Sequence, residues 1–215
     1  MISLATFLIF CGAVLAMLVT PGPNMAFLLS HSVAFGPRGG LAVASGVAAA
    51  DVVMTLLTAT GVTAIVAAWP PAFDVLRYAG ALYLLWLAIK AVRSPVHALV
   101  ADGMLTGMQM SMRKVFLRSM AGSLINPKPL LFFMVFLPQF VDLQRGAVHW
   151  QLVTLGLTLT VLAFVFHALL GAFAGEAGQL LARNPRTANA QRWLLCGVLG
   201  TLALRLLFTE RPAAT

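Results

Sequence analysis

The sequence opens MISLATFLIFCGAVLAMLV, an apolar run without a charged side chain. Apolar stretches of similar length return five more times along the 215 residues. About 20 such residues cross the hydrocarbon of a bilayer. The chain is 60% hydrophobic and only 9% charged, with a mean hydropathy of +0.94. A soluble domain carries about 25% charged residues, so this chain cannot dress a water-facing surface. In lipid, only helices and closed barrels satisfy their own backbone. The apolar runs are continuous, without the alternation of a barrel strand. The expected fold class is therefore an all-α integral membrane protein. The opening run lacks the basic residues that precede a secretory signal core, so it is expected to be a retained first span.

Six transmembrane helices are expected, at about Leu4–Phe35, Gly40–Ala68, Phe73–Val92, Ser119–Phe140, Val148–Phe173 and Gln191–Phe208. They make one transmembrane transporter domain over 1–215. Its parts are a first repeat at about 1–93, a cytoplasmic loop at 94–118 and a second repeat at 119–215. Arg38, Lys90, Arg93, Arg113, Lys114, Arg118, Arg183, Arg186 and Arg192 fall on one side of this plan. Arg77, Arg145, Arg205 and Arg211 fall on the other. Cation-rich loops stay in the cytoplasm, which places both termini in the periplasm. The formal charge of +8 is read as this topology signal. Nucleic acid is not an expected partner, because no basic run is interleaved with aromatics.

Three spans per half make the halves inverted repeats. Spans one and four carry matching breaks, PGPNMAFLL and NPKPLLFFM, each with Pro-x-Pro and an Asn. Paired interruptions in corresponding spans point to a transporter's binding site. A helix restarting inside the membrane presents backbone donors and a positive dipole end, which suits an anion such as a carboxylate. Pro21 and Pro23 fit a first helical turn, Gly22 admits close approach, and Asn24 can cap or line the site. The amides of Met25 and Ala26 are expected to be unpaired. The mirror break offers Asn126, Pro127 and Lys128, with Lys128 a cation at apolar depth. The alternative is a pair of structural kinks.

Asp51 lies in GVAAADVVMTLL, well inside span two. A charge at mid-membrane costs about 2.5–3.5 kcal/mol on insertion scales and usually marks a substrate, ion or proton path. Asp51 is the candidate proton carrier, or the holder of a substrate ammonium; the bland alternative is a carboxyl hydrogen-bonded to a neighbouring helix. His167, in LAFVFHALLG, can pair with Asp51 or titrate, or be a core histidine. His31 is expected near the cytoplasmic face and Tyr78 at the interface, while Tyr83 is an anchor or a cavity wall. Gly40, Ala44, Gly46 and Ala48 suggest close helix packing. Cys11 and Cys196 stand alone in apolar runs, as small hydrophobes do. No Gly-rich phosphate loop, zinc spacing or Ser-His-Asp arrangement can be read. Neither enzyme chemistry, a metal nor a cofactor is expected, and uphill transport must draw on an ion gradient or a partner.

TPGPNM, the Gly-rich second span with its Asp, YAGALYLLWLAIKA and LINPKPLLFFMVFLPQFV together resemble the LysE/RhtB family of bacterial amino-acid exporters. The resemblance runs from span one to LGTLALRLLF in span six. It implies a six-helix inner-membrane protein, a secondary active exporter of amino acids or close analogues by proton antiport. Pro21, Gly22, Pro23, Asn24, Asp51, Asn126, Pro127 and Lys128 fall on the family's motifs. His31 departs, standing where an Arg or a small polar residue is expected. The implied partners are an amino-acid substrate, protons and membrane lipid; a homodimer is left open. Two other classes remain on the sequence: a membrane scaffold without transport, and a thiol electron carrier, which would need a cysteine pair near the prolines. For an exporter, a zwitterion would place its carboxylate at the half-helix start formed by Asn24–Ala26 and its ammonium toward Asp51.

Overall fold

The computed structural model describes residues 2–19, 22–69 and 110–174, with Val75, Tyr78, Leu82, Leu85, Trp86, Ile89 and Gly197. Most of expected spans three and six, Pro21, Tyr83, Cys196 and the loop up to residue 109 therefore lie outside the described residues. The described chain is helical, with no strand.

Helix α1 (Leu4–Val19) starts at Ser3, whose Oγ accepts the Thr6 amide at 3.1 Å. This is the usual capping bond from a serine at a helix entrance. Helix α2 (Pro23–Ala68) is two helices joined across a kink at Gly36. Gly36 sits at φ 66° and ψ −161°, a conformation that needs glycine. Pro37 follows and disfavours helical backbone in the residue before it. The second arm folds back on the first. A Cβ on Gly39 would collide with His31 and Phe35, and one on Gly40 with Ser32. Leu28, Val43 and Val47 share one buried cluster. Pro23 and Asp51 each lie roughly 20 Å along their arm from the turn, at 1.5 Å per residue. The hairpin thus brings the break in span one level with the buried carboxylate.

Helix α3 (Met112–Ile125) begins seven residues before the expected Ser119, within the stretch read as loop, because Ser111 caps it. Arg113, Lys114 and Arg118 on its first turns are exposed, so the apolar run marked only the membrane-facing part of a longer helix. Helix α4 (Pro127–Leu131) follows after a single extended residue, Asn126, at φ −72° and ψ 119°. Pro127 enforces that conformation, and the bend between Met112–Ile125 and Pro127–Phe140 is 51°. Downstream the chain widens into a π turn at Phe132–Phe136, then tightens into a 3-10 turn at Leu137–Phe140. Pro138 is the cause: it has no amide to donate and its ring crowds the carbonyl four residues back. Gln139 Nε2 donates to the Val135 carbonyl at 2.9 Å.

Helix α5 (Val148–Ala172) is preceded by a loop held by buried Gln151. Its Oε1 accepts the Asp142 amide at 2.9 Å, and its Nε2 donates to the Asp142 and Gly146 carbonyls at 2.9 and 2.7 Å. One face of α5 buries Leu152, Leu155, Gly156, Leu159, Thr160, Ala163, His167 and Gly171. The opposite face exposes Leu157, Val161, Val165 and Leu169. Thr160 and His167 among the inward residues, with an outward face of bare aliphatic side chains, is the pattern of a helix bathed in lipid.

By length and composition, Pro23–Ala64, taken across its Gly36 turn, and Val148–Ala172 are long and apolar enough to cross a membrane, and the bent pair around Asn126 makes a third candidate. Lipid tails are as apolar as leucine, so close packing of small residues holds such helices together. Gly40 meets Gly171 backbone to backbone, Gly46 meets Phe116 and Ser119, and Gly156 meets Thr55. Of the expected packing residues, Gly40 and Gly46 make such crossings, Ala44 is fully buried and Ala48 is half-buried. Helix α1 docks through Phe10, edge-on to Phe140 at 5.1 Å.

Candidate functional site

Both breaks and the buried carboxylate open on one cavity of about 50 Å³. Gly22, Pro23, Asn24, Met25, Asp51, Asn126, Lys128 and His167 line it. Ala26 and Pro127 are not among its lining residues, and Pro21 lies outside the described residues. The volume holds about three or four waters.

The two breaks are stitched to each other. Asn126 Nδ2 donates to Asn24 Oδ1 at 3.0 Å, and Asn24 Nδ2 donates to Ser123 Oγ at 3.0 Å. Asn126 Oδ1 accepts the Lys128 amide at 3.1 Å, capping α4. Paired asparagines from two broken helices thus share one line of hydrogen bonds.

The donors at the two restarts differ. In α2, the Ala26 amide donates to the Gly22 carbonyl at 3.0 Å, so the expectation of a free donor at Ala26 does not hold. The Asn24 and Met25 amides come before that first bond, where a helix offers no internal acceptor. In α4, Pro127 and Pro129 have no amide, the Lys128 amide is taken by Asn126 Oδ1, and the Leu130 amide reaches the Asn126 carbonyl at 3.2 Å. The second break therefore presents no backbone donor at its start. It presents the Lys128 ammonium, whose Nζ donates to the Met17 carbonyl at 3.1 Å. A Cβ on Gly22 would lie 3.7 Å from that Nζ, in ordinary contact.

Asp51 is 2% exposed and projects from the second arm of α2. His167 is 6% exposed, and its Nδ1 has no hydrogen-bond partner among the described residues. Both expected titrating residues reach the same cavity, but Nδ1 does not join them. His31 is elsewhere, close to the Gly36 turn. Its Nδ1 lies 2.9 Å from the Phe27 carbonyl and its ring stacks on Phe27 at 4.0 Å. Tyr78 is exposed, and Cys11 is a half-buried free thiol.

The rest of the wall is apolar: Met17, Leu18, Val47, Pro129, Phe132, Phe133, Leu159 and Ala163. None of these stood out in the sequence, since an apolar residue facing lipid and one facing a cavity read alike. Only the downstream proline, Pro138, hinted at irregular backbone around Phe132 and Phe133. Among the described residues, no three His, Cys, Asp or Glu side chains gather as a metal would need.

The family model for LysE type translocators matches residues 15–209. The chain belongs to this LysE family. Three relatives of this LysE chain are leucine efflux proteins. That of Klebsiella pneumoniae is 36% identical over 159 residues, covering 74% of each chain. That of Enterobacter sp. strain 638 is 34% identical over 197 residues, covering 89% of this chain and 87% of the relative. That of Salmonella typhimurium is 34% identical over 166 residues, covering 75% and 76%. No solved structure matches the chain. This LysE protein is thus a multi-pass protein of the bacterial inner membrane and an amino-acid exporter.

Proposed function

We propose that the chain exports apolar amino acids of the leucine class in exchange for protons, through the cavity at the two breaks. One observation carries the reading. A single cavity joins a helix N-terminus and an ammonium to a buried carboxylate, with aromatic and aliphatic walls between. The positive dipole end of α2 and Lys128 suit the substrate's carboxylate. Asp51 suits its ammonium, or a proton in its place. Met25, Val47, Phe132, Phe133 and Leu159 suit an apolar side chain. The leucine efflux relatives support the same substrate class. At about 50 Å³ the cavity is small for an amino acid, which enters when a wall moves. Everted membrane vesicles test the function: they should take up labelled leucine when their lumen is acid.

The fold behind this function is six spans in two inverted repeats, in one domain over 1–215, with both termini in the periplasm. The Asn24–Asn126 bond between the breaks supports the inverted pairing. The exposed Arg113, Lys114 and Arg118 at the start of α3 support a cytoplasmic 94–118 segment. Reporter fusions check the orientation. A fusion within 94–118 should report cytoplasm and a C-terminal fusion periplasm; a cytoplasmic C-terminus would contradict the six-span plan.

A further inference from the structure

We infer that Lys128 is a latch that ties the broken end of α1 into the cavity wall, and that a substrate carboxylate releases it by drawing the ammonium away. The inference rests on the exporter reading above for its substrate, but the latch itself is a property of the substrate-free protein.

Met17 lies in the last turn of α1, which ends at Val19. The carbonyls of a last turn have no amide within their own helix. They carry the negative end of the helix dipole, where a cation is favoured. Lys128 Nζ donates to the Met17 carbonyl at 3.1 Å. The lysine belongs to α4, after the other break, so its side chain bridges the end of one broken span and the start of the other. Its backbone is fixed at the opposite end, where its amide caps onto Asn126 and Asn126 holds Asn24. Met17 and Leu18 form part of the cavity wall, so the bond holds that wall in place.

Apolar contacts such as Phe10 on Phe140 exchange for lipid at little cost. A hydrogen bond from a charged donor is stronger than a neutral one. Gly22 and Lys128 line the same cavity. A carboxylate arriving at the α2 start therefore meets the same ammonium that holds α1. A full negative charge outcompetes a peptide carbonyl for it. Substrate binding and release of the α1 end then become one event.

The test is thiol labelling of Leu18→Cys in a chain carrying Cys11→Ala and Cys196→Ala, reconstituted in liposomes. Leu18 is buried in the cavity wall, 7% exposed, and should react slowly with N-ethylmaleimide. Adding Lys128→Met should raise the rate by about tenfold or more with no substrate present, while Lys128→Arg should keep it slow. Lys128→Gln, too short to reach Met17, carries the same expectation as Lys128→Met should that variant fail to insert. Labelling of Lys128→Met at the parent rate would overturn the latch. Equal acceleration by Lys128→Arg would also overturn it, by assigning the effect to shape and not to the cation. Leucine should accelerate the parent. If Lys128→Met is fast yet leucine leaves the parent unchanged, the latch stands and the leucine reading falls.

Discussion

Replacing Asp51 with asparagine is expected to abolish leucine uptake driven by an acid lumen in everted vesicles, while leucine–leucine exchange persists weakly. Asparagine keeps the size and hydrogen-bonding outline of the side chain but can neither carry a charge nor exchange a proton. Asp51 is 2% exposed in the cavity, and an isolated charge there costs several kcal/mol. The carboxylate must therefore hold a proton or the substrate's ammonium. Holding one excludes the other, so under the proposed antiport a proton from the periplasmic side would displace the amino acid, and its release on the cytoplasmic side would let the next one load. Exchange needs no net proton movement, so it outlives the substitution. Undiminished proton-driven uptake by Asp51→Asn would remove Asp51 from coupling. His167, whose buried Nδ1 lies in the same cavity with no hydrogen-bond partner among the described residues, would then be the next residue to replace.

The second large effect is expected at the asparagine pair. Asn24→Leu strands Ser123 Oγ and Asn126 Nδ2, both of which bond Asn24. Leaving a buried polar group unmatched costs about 1–3 kcal/mol. Asn126→Leu removes the α4 cap as well, worth about 1 kcal/mol. Either variant should insert normally, because leucine is at home in lipid. Either should weaken leucine binding by about tenfold or more, measured as protection of the purified protein against thermal unfolding. Wild-type affinity in both would reduce the breaks to kinks.

Much of this site was legible because the membrane makes the unusual residue conspicuous. Pro21, Pro23, Pro127, Pro129 and Asp51 stand out in apolar sequence, and the cost of each in lipid asks for a reason. The turn at Gly36–Pro37 was legible too, between the expected first and second spans. The apolar half of the cavity was not. Phe132, Phe133 and Leu159 carry no mark that separates a cavity wall from a lipid face, and the π turn that aims the two phenylalanines arises from Pro138 several residues on. The likeness of the two breaks also concealed a difference. PGPN and NPKP look like mirror images, yet the second break has every starting amide either replaced by proline or already bonded. Its contribution is a side-chain cation, and the role of that cation depends on Met17, which is more than one hundred residues away and unremarkable in sequence. The start of α3 was misplaced for a simpler reason: its first turns are basic and exposed, and hydropathy sees only the part in lipid.

One cavity is proposed to recognise both ends of an apolar amino acid. Competition against labelled leucine uptake in the everted vesicles, under a fixed acid-lumen gradient, tests it most directly. Three competitors suffice: leucine, leucinamide, which lacks the carboxylate, and 4-methylpentanoate, which lacks the ammonium. Unlabelled leucine should compete fully, while each one-ended analogue should compete at least about tenfold more weakly, since each leaves one buried charged group unmatched. Equal competition by either analogue would contradict the two-ended site.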